Sequence, residues 1–150
     1  LQARHVAGTV AASMLIIDVD RFKQINDHHG HVMGDDVLRA IASAIEASLP
    51  PGSHAGRFGG DEFVVAAPVA EPAAIQVASS ILDKVEALRF DHDPLLRCSV
   101  SIGVAEPVAD DPSLRAWMEA ADHALYRAKA AGRNRIASFD GTRLRSHAEA

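Results

Sequence analysis

Two pairs of acids, far apart in the chain, are the residues best suited to do chemistry. Asp18-Val19-Asp20 closes the apolar run Ser13-Met14-Leu15-Ile16-Ile17. Asp61-Glu62 follows Arg57-Phe58-Gly59-Gly60 and leads into Phe63-Val64-Val65-Ala66-Ala67. Each apolar run reads as a buried strand. The alternation of the first points Asp18 and Asp20 to one face, and the paired glycines make the second a hairpin tip carrying carboxylates. If these strands are neighbours in one sheet, Asp18, Asp20, Asp61 and Glu62 converge. Carboxylates that close repel one another, and the usual remedies are a raised pKa or a divalent cation with oxygen ligands. A site for Mg2+ (or Mn2+) is the first expectation.

The elements around these acids would have to hold a substrate. Asp20 is expected to cap a short helix whose opening turn holds Arg21, Phe22 and Lys23. Free N–H groups at that helix start, with the Lys23 charge beside them, suit a triphosphate; without the acids the same residues would read as an ordinary capped helix. From Asn26 to Asp35 the chain reads as a polar loop closed by Gly30 and Gly34. Its histidines, His28, His29 and His31, share no helical face, and no cysteine or second histidine cluster completes a zinc set. Asn26 and Asp35 suit the reading of a base: a guanine offers N1–H and N2–H₂ donors to an Asp, and an Asn both donates and accepts. Asp35 fits a helix N-cap equally well.

Three amphipathic stretches read as core helices. The first carries Val37, Leu38, Ile41, Ile45 and Leu49 and stops at Pro50-Pro51-Gly52. The second carries Ile75, Ala78, Ile81, Leu82, Val85 and Leu88. The third starts at Asp111-Pro112, turns Leu114, Trp117, Met118, Ala121 and Leu125 inward, and stops at Gly132. Residues 53–58, 96–104 and 136–139 read as strands, and 90–95 as a small bend. Residues 1–9 read as the end of a helix and 141–150 as a frayed polar tail. Lys129 and Arg133 flank the end of the third helix, where basic residues suit either the helix dipole or a phosphate.

Composition narrows the function classes. With 150 residues, 48% of them hydrophobic and 23% charged, the chain is one domain with a real core. A net charge of -5 without a Lys/Arg block disfavours DNA and RNA backbones as partners. Cys98 is the single cysteine, so no internal disulfide forms, and its apolar surroundings suit a buried thiol. No run approaches a membrane span, which leads to the expectation of a cytoplasmic domain, with any sensor or membrane segments outside this stretch.

The sequence resembles the GGDEF family, the diguanylate cyclase domains. The resemblance rests on Gly59-Gly60-Asp61-Glu62-Phe63, on Asp18-Val19-Asp20-Arg21-Phe22-Lys23-Gln24-Ile25-Asn26-Asp27, and on Gly30-His31 and Gly34-Asp35. It also rests on residues 99–104 and on 121–134, all in order. It implies an α/β (α+β) fold with a mostly antiparallel five-stranded central sheet surrounded by helices, similar to polymerase palm and nucleotide cyclase folds. On this view residues 1–140 are the domain, lacking the family's opening Asp-x-Leu-Thr-Gly turn. The implied reaction joins two GTP into cyclic di-GMP with release of two pyrophosphates across a homodimer, in bacterial signalling that governs biofilm formation. The implied roles are metal ligation by Asp18, Asp61 and the Val19 carbonyl, and activation of the hydroxyl by Glu62. Lys23 stabilises charge at the phosphates, Asn26, His31 and Asp35 hold guanine and substrate, and Lys129 with Arg133 grip the outer phosphates. Asp20 supports the site. Pro50, Pro51, Gly52 and Ser53 stand where many members carry an Arg-x-x-Asp motif that binds product. The alternative reading is a catalytically silent module that binds GTP and signals to an attached domain.

Overall fold

The computed structural model describes residues 5–6, 9–139 and 144–147, with side chains from 11 to 139. In chain order the elements are β1 (His5–Val6), β2 (Thr9–Val10), β3 (Ser13–Val19), α1 (Phe22–His29), α2 (His31–Ser48), β4 (His54–Phe58) and β5 (Glu62–Ala67). They continue with α3 (Glu71–Glu86), β6 (Val100–Ala105), α4 (Leu114–Ala130), β7 (Ile136–Phe139) and β8 (Leu144–His147). One sheet has the order β4-β5-β3-β6-β7-β8, antiparallel except for the parallel β6–β7 pair. The five expected strands are there, and β8 adds a sixth at the edge. The parallel pair needs a crossover, which α4 supplies.

The centre of the sheet is β3, buried along its whole length because helices cover both faces. Leu15, Ile17 and Val19 meet Ile25 of α1, the Val37/Leu38/Ile41/Ile45 stripe of α2 and the Ala78/Ile81/Leu82/Val85 stripe of α3. Met14 and Ile16 face the other way, onto Trp117, Ala121 and Leu125 of α4. The Trp117 indole N–H donates to the Ala105 carbonyl at 2.7 Å, which ties α4 to the end of β6. Cys98 is buried, and burial pushes its thiol up to about 11, against an opposing pull from Arg89. It is an inert core residue.

Several local expectations are corrected. His5–Val6 and Thr9–Val10 pair as an antiparallel ribbon where the end of a helix was expected. Residues 26–35 are helix on both sides of Gly30, whose φ of 89° breaks α1 from α2. Asp35 therefore lies within α2 and is no N-cap. Asp20 does not cap α1; Arg21 occupies that position in a left-handed conformation with no side-chain cap. Ser113, not Asp111, caps α4 by accepting from the Ala116 N–H at 3.1 Å, and Leu114 is exposed. The final strand before α4 starts at Val100, later than the expected residue 96. Leu144–His147 pairs with β7 where a frayed tail was expected, while 140–143 and 148–150 lie outside the described residues. At Asp20 and at Leu144–His147 the local expectation gives way to partners elsewhere in the chain, Ser99, Ser101 and Asn134 for the first and β7 for the second.

Candidate active site

The β3–β5 ladder determines where the acids meet. Its register places Asp18 directly opposite Glu62, and the Val19 N–H donates to the Asp61 carbonyl at 3.1 Å. Directly opposed residues in an antiparallel pair have Cβ atoms about 5 Å apart. Asp61 sits in the turn between Phe58 and Glu62, which are themselves paired, and Gly59 takes a φ of 64° there, a conformation that favours glycine. Asp18, Asp61 and Glu62 are thus brought to one end of the sheet.

From the opposite layer, α4 brings Lys129 to the same place, where its ammonium is ion-paired with Asp18 Oδ2. Asp18 is buried, and its other oxygen, Oδ1, has no hydrogen-bond donor. Burial raises the Asp18 pKa, Lys129 pulls it back, and the Asp61 charge raises it again. The Glu62 pKa is also raised, first by burial, then by the charges of Asp18 and Asp122. Asp122 is a member of the electrostatic cluster to which sequence reasoning gave no role. The signal was present: Asp122 lies seven positions before Lys129, two helical turns, and hence on the same face of α4.

Asp20 leaves the cluster. Its carboxylate accepts from Ser99 Oγ at 2.6 Å, Ser101 Oγ at 2.6 Å and the Asn134 N–H at 3.0 Å. Those bonds join the end of β3 to β6 and to the turn after α4, where Arg133 and Asn134 are both left-handed. Arg133 is thereby held beside Gly132 and Arg21 on a polar cleft of about 680 Å³. Asn134 has a place that sequence reasoning missed, and its side-chain amide also donates to Glu86 at 2.8 Å.

The remaining candidates lie on α1 and α2. Lys23 is exposed and paired with Asp27 at 3.1 Å, an i,i+4 surface pair, and so is not drawn into the acids. Asn26 packs its side chain over Gly34, where an added Cβ would come within 1.9 Å of Asn26 Oδ1 and 3.3 Å of Phe22 Cζ. Asn26 Oδ1 is buried without a hydrogen-bond partner. His31 opens α2 on the surface, and Asp35 is exposed at the rim of a cavity of about 460 Å³ lined also by Leu38, Arg39, Arg57 and Phe63.

Among the described residues, no three His, Cys, Asp or Glu side chains form a ready-made metal cage. The donors present nevertheless fit a small hard cation. Magnesium is characteristically held by one or two carboxylates together with waters and substrate phosphates, and Asp18 presents a buried oxygen with nothing bound to it. Adjacent Asp61 supplies a second carboxylate.

Three comparisons bear on this arrangement. The family model "Diguanylate cyclase, GGDEF domain" matches residues 2–135. The chain is 40% identical over 136 residues to the diguanylate cyclase DgcM of Escherichia coli K12, covering 90% of this chain and 32% of the relative. It is 39% identical over 125 residues to the probable diguanylate cyclase DgcC of the same strain, covering 83% of this chain and 34% of the relative. The chain therefore spans about a third of the length of these relatives. The crystal structure of the GGDEF domain of DgcB from Caulobacter crescentus, in complex with c-di-GMP, superposes with a TM-score of 0.79 at 34% identity, covering 85% of this chain and 77% of that one. With the family model matching nearly the whole chain and the acids of its signature gathered at the β3–β5 end, the chain belongs to the GGDEF family of diguanylate cyclase domains.

Proposed function

We propose that this domain condenses two GTP molecules into cyclic di-GMP. The observation that carries the reading is Asp18 paired opposite Glu62, with Asp61 in the adjoining turn and the Lys129 ammonium between the layers. In each half-reaction a 3′-hydroxyl oxygen attacks the α-phosphorus of the other GTP. The bond from that phosphorus to the bridging oxygen breaks, and pyrophosphate leaves with its electron pair. Glu62 takes the hydroxyl proton; its raised pKa brings it closer to the range where a general base is effective. Asp18 and Asp61, with the Val19 carbonyl, would hold a Mg2+ or Mn2+ ion, which supplies charge neutralisation at the phosphates.

The chain's other residues position the substrate. Lys129 and Arg133, from the end of α4, take the outer phosphates, and Lys23 exchanges Asp27 for phosphate charge. Asn26 and Asp35 read the guanine edge, with Phe22 and His31 flanking it. One domain binds one GTP, so two copies must face each other. Flanking sensor or effector domains belong to the same reading, given how much longer the relatives are.

Turnover of GTP at several protein concentrations tests this. The expected result is cyclic di-GMP formation with a rate that rises faster than linearly with protein. Bound but unconverted GTP, even when dimerisation is forced, would favour the silent nucleotide-binding module.

Two further outcomes follow locally. Gly34→Ala places a methyl against the Asn26 amide and displaces it, so KM for GTP should rise about tenfold with kcat less affected, as steady-state kinetics would record. Gly34 does not have a positive φ, so strain from backbone conformation is not the cause. The turn at Pro50 to Ser53 offers no guanidinium or carboxylate, and Ser53 Oγ is spent on the Pro50 carbonyl at 2.8 Å. Added cyclic di-GMP should therefore inhibit initial rates only in competition with GTP; potent non-competitive inhibition mapped to this turn would refute that.

A further inference from the structure

The Lys129–Asp18 pair joins α4 to the end of β3 and differs in kind from the Lys23–Asp27 pair. Lys23 and Asp27 are exposed, with side-chain accessibilities of 89% and 57%; for Lys129 and Asp18 the values are 34% and 11%. A buried carboxylate depends on its counter-charge far more than a wet one does. Around Asp18 the other facing charges are Asp61 and Glu62, which supply no donor. Lys129 is therefore the cation that offsets the repulsion of the cluster, and it sits on one oxygen of the carboxylate that a divalent ion would need. Its position is not adjustable through the helix: Gly103 lets β6 pack against the Ala121 and Leu125 backbone of α4, and Trp117 is hydrogen-bonded to Ala105. Any exchange has to come from the lysine side chain itself.

We propose that Lys129 is an exchangeable internal cation: it closes Asp18 to free divalent metal and leaves it for phosphate when nucleotide arrives. The site then takes its metal as a metal–nucleotide complex and is not preloaded. This rests on the reading of Asp18 as a metal ligand. The physical ground is charge. An ammonium and a divalent ion on one carboxylate repel each other, whereas the phosphates of a nucleoside triphosphate carry enough negative charge to hold both. Lys129 thus has two successive partners, and the second releases the first.

Mn2+ binding to nucleotide-free protein, followed by the loss of the free-ion EPR signal, tests the exchange. Lys129→Met should bind Mn2+ roughly tenfold or more tightly than wild type, and Lys129→Arg should stay weak. In wild type a non-hydrolysable GTP analogue should tighten Mn2+ binding. Equal Mn2+ affinity in wild type and Lys129→Met, with binding lost in Asp18→Asn/Lys129→Met, would overturn the exchange and leave Asp18 as a ligand. If that double variant binds Mn2+ as well as Lys129→Met does, the assignment of Asp18 itself fails. Should Lys129→Met prove too unstable to titrate, wild type alone decides: the same Mn2+ affinity with and without the analogue overturns the proposal.

Discussion

Glu62→Gln should reduce cyclic di-GMP formation by about 10²–10⁴-fold while leaving GTP binding and the fold in place. The substitution keeps the shape of the side chain and removes its charge and its ability to accept a proton. A stability measurement alongside the assay separates this from unfolding, because the expected sign is unusual. Burial and the charges of Asp18 and Asp122 raise the Glu62 pKa above its ordinary 4.5. The folded state then holds the proton to higher pH than the unfolded state does. Stability contributed by this group falls as pH rises from the ordinary value through the folded one, and at neutral pH the ionised side chain is a net liability. Gln removes that liability, so the variant should melt no lower than wild type at pH 7, and slightly higher in the absence of nucleotide. In wild type the same shift should place the acid limb of the rate profile above the ordinary glutamate range. A Gln variant with wild-type turnover would remove Glu62 from the chemistry.

Gly103→Ala should be the most damaging single-methyl change to the fold. A Cβ at Gly103 would lie 2.2 Å from the Ala121 carbonyl oxygen, 2.3 Å from the Leu125 nitrogen and 2.8 Å from Leu125 Cα. All three are backbone atoms of α4, so no rotamer change relieves the clash and the helix must move off the sheet. Overpacking of this kind costs about 3 kcal/mol. At the ~2–4 °C per kcal/mol expected of a chain this size, thermal unfolding should shift down by about 10 °C. Gly56→Ala is the control: nothing lies within 4 Å of its added Cβ, and its φ is not positive. Because α4 carries Lys129 and Arg133, any Gly103→Ala protein that still folds should also bind GTP more weakly. Equal melting of the two variants would show that β6 and α4 are not packed as described.

The strands and helices were legible where hydrophobic period was strong. The Val37/Leu38/Ile41/Ile45 and Ile81/Leu82/Val85 stripes are the buried faces of α2 and α3, and the run from Met14 to Ile17 is the central strand. Boundaries set by capping were less legible. Asp20 and Asp111 have the right chemistry for caps, but Asp20 has three better donors on Ser99, Ser101 and Asn134, and Asp111 accepts from the Ser113 N–H at 3.1 Å. Those donors are far from Asp20 in sequence, so no local pattern reveals them. Asn, Asp, His and Gly dominate around Gly30 and by themselves predict a loop, yet packing of Ile25 and Val37 in the core keeps both sides helical.

The candidate site divides in the same way. The sequence by itself determined the residue types: two acidic clusters at strand ends, a glycine turn that only one of them needs, and basic residues on either side of a helix end. It also determined the family, since ordered motifs run through nearly the whole chain. Only the tertiary structure decided which acids meet. A register that pairs Asp18 with Glu62 sends Asp20 into hydrogen bonds with two serines, brings Asp122 and Lys129 in from the far layer, and leaves Lys23 on the surface with Asp27. The physical reason is that charge interactions depend on distance and burial. Side-chain chemistry is written residue by residue, whereas distance and burial arise from strand register and helix packing between segments separated by as many as 114 residues, the interval from Asp20 to Asn134.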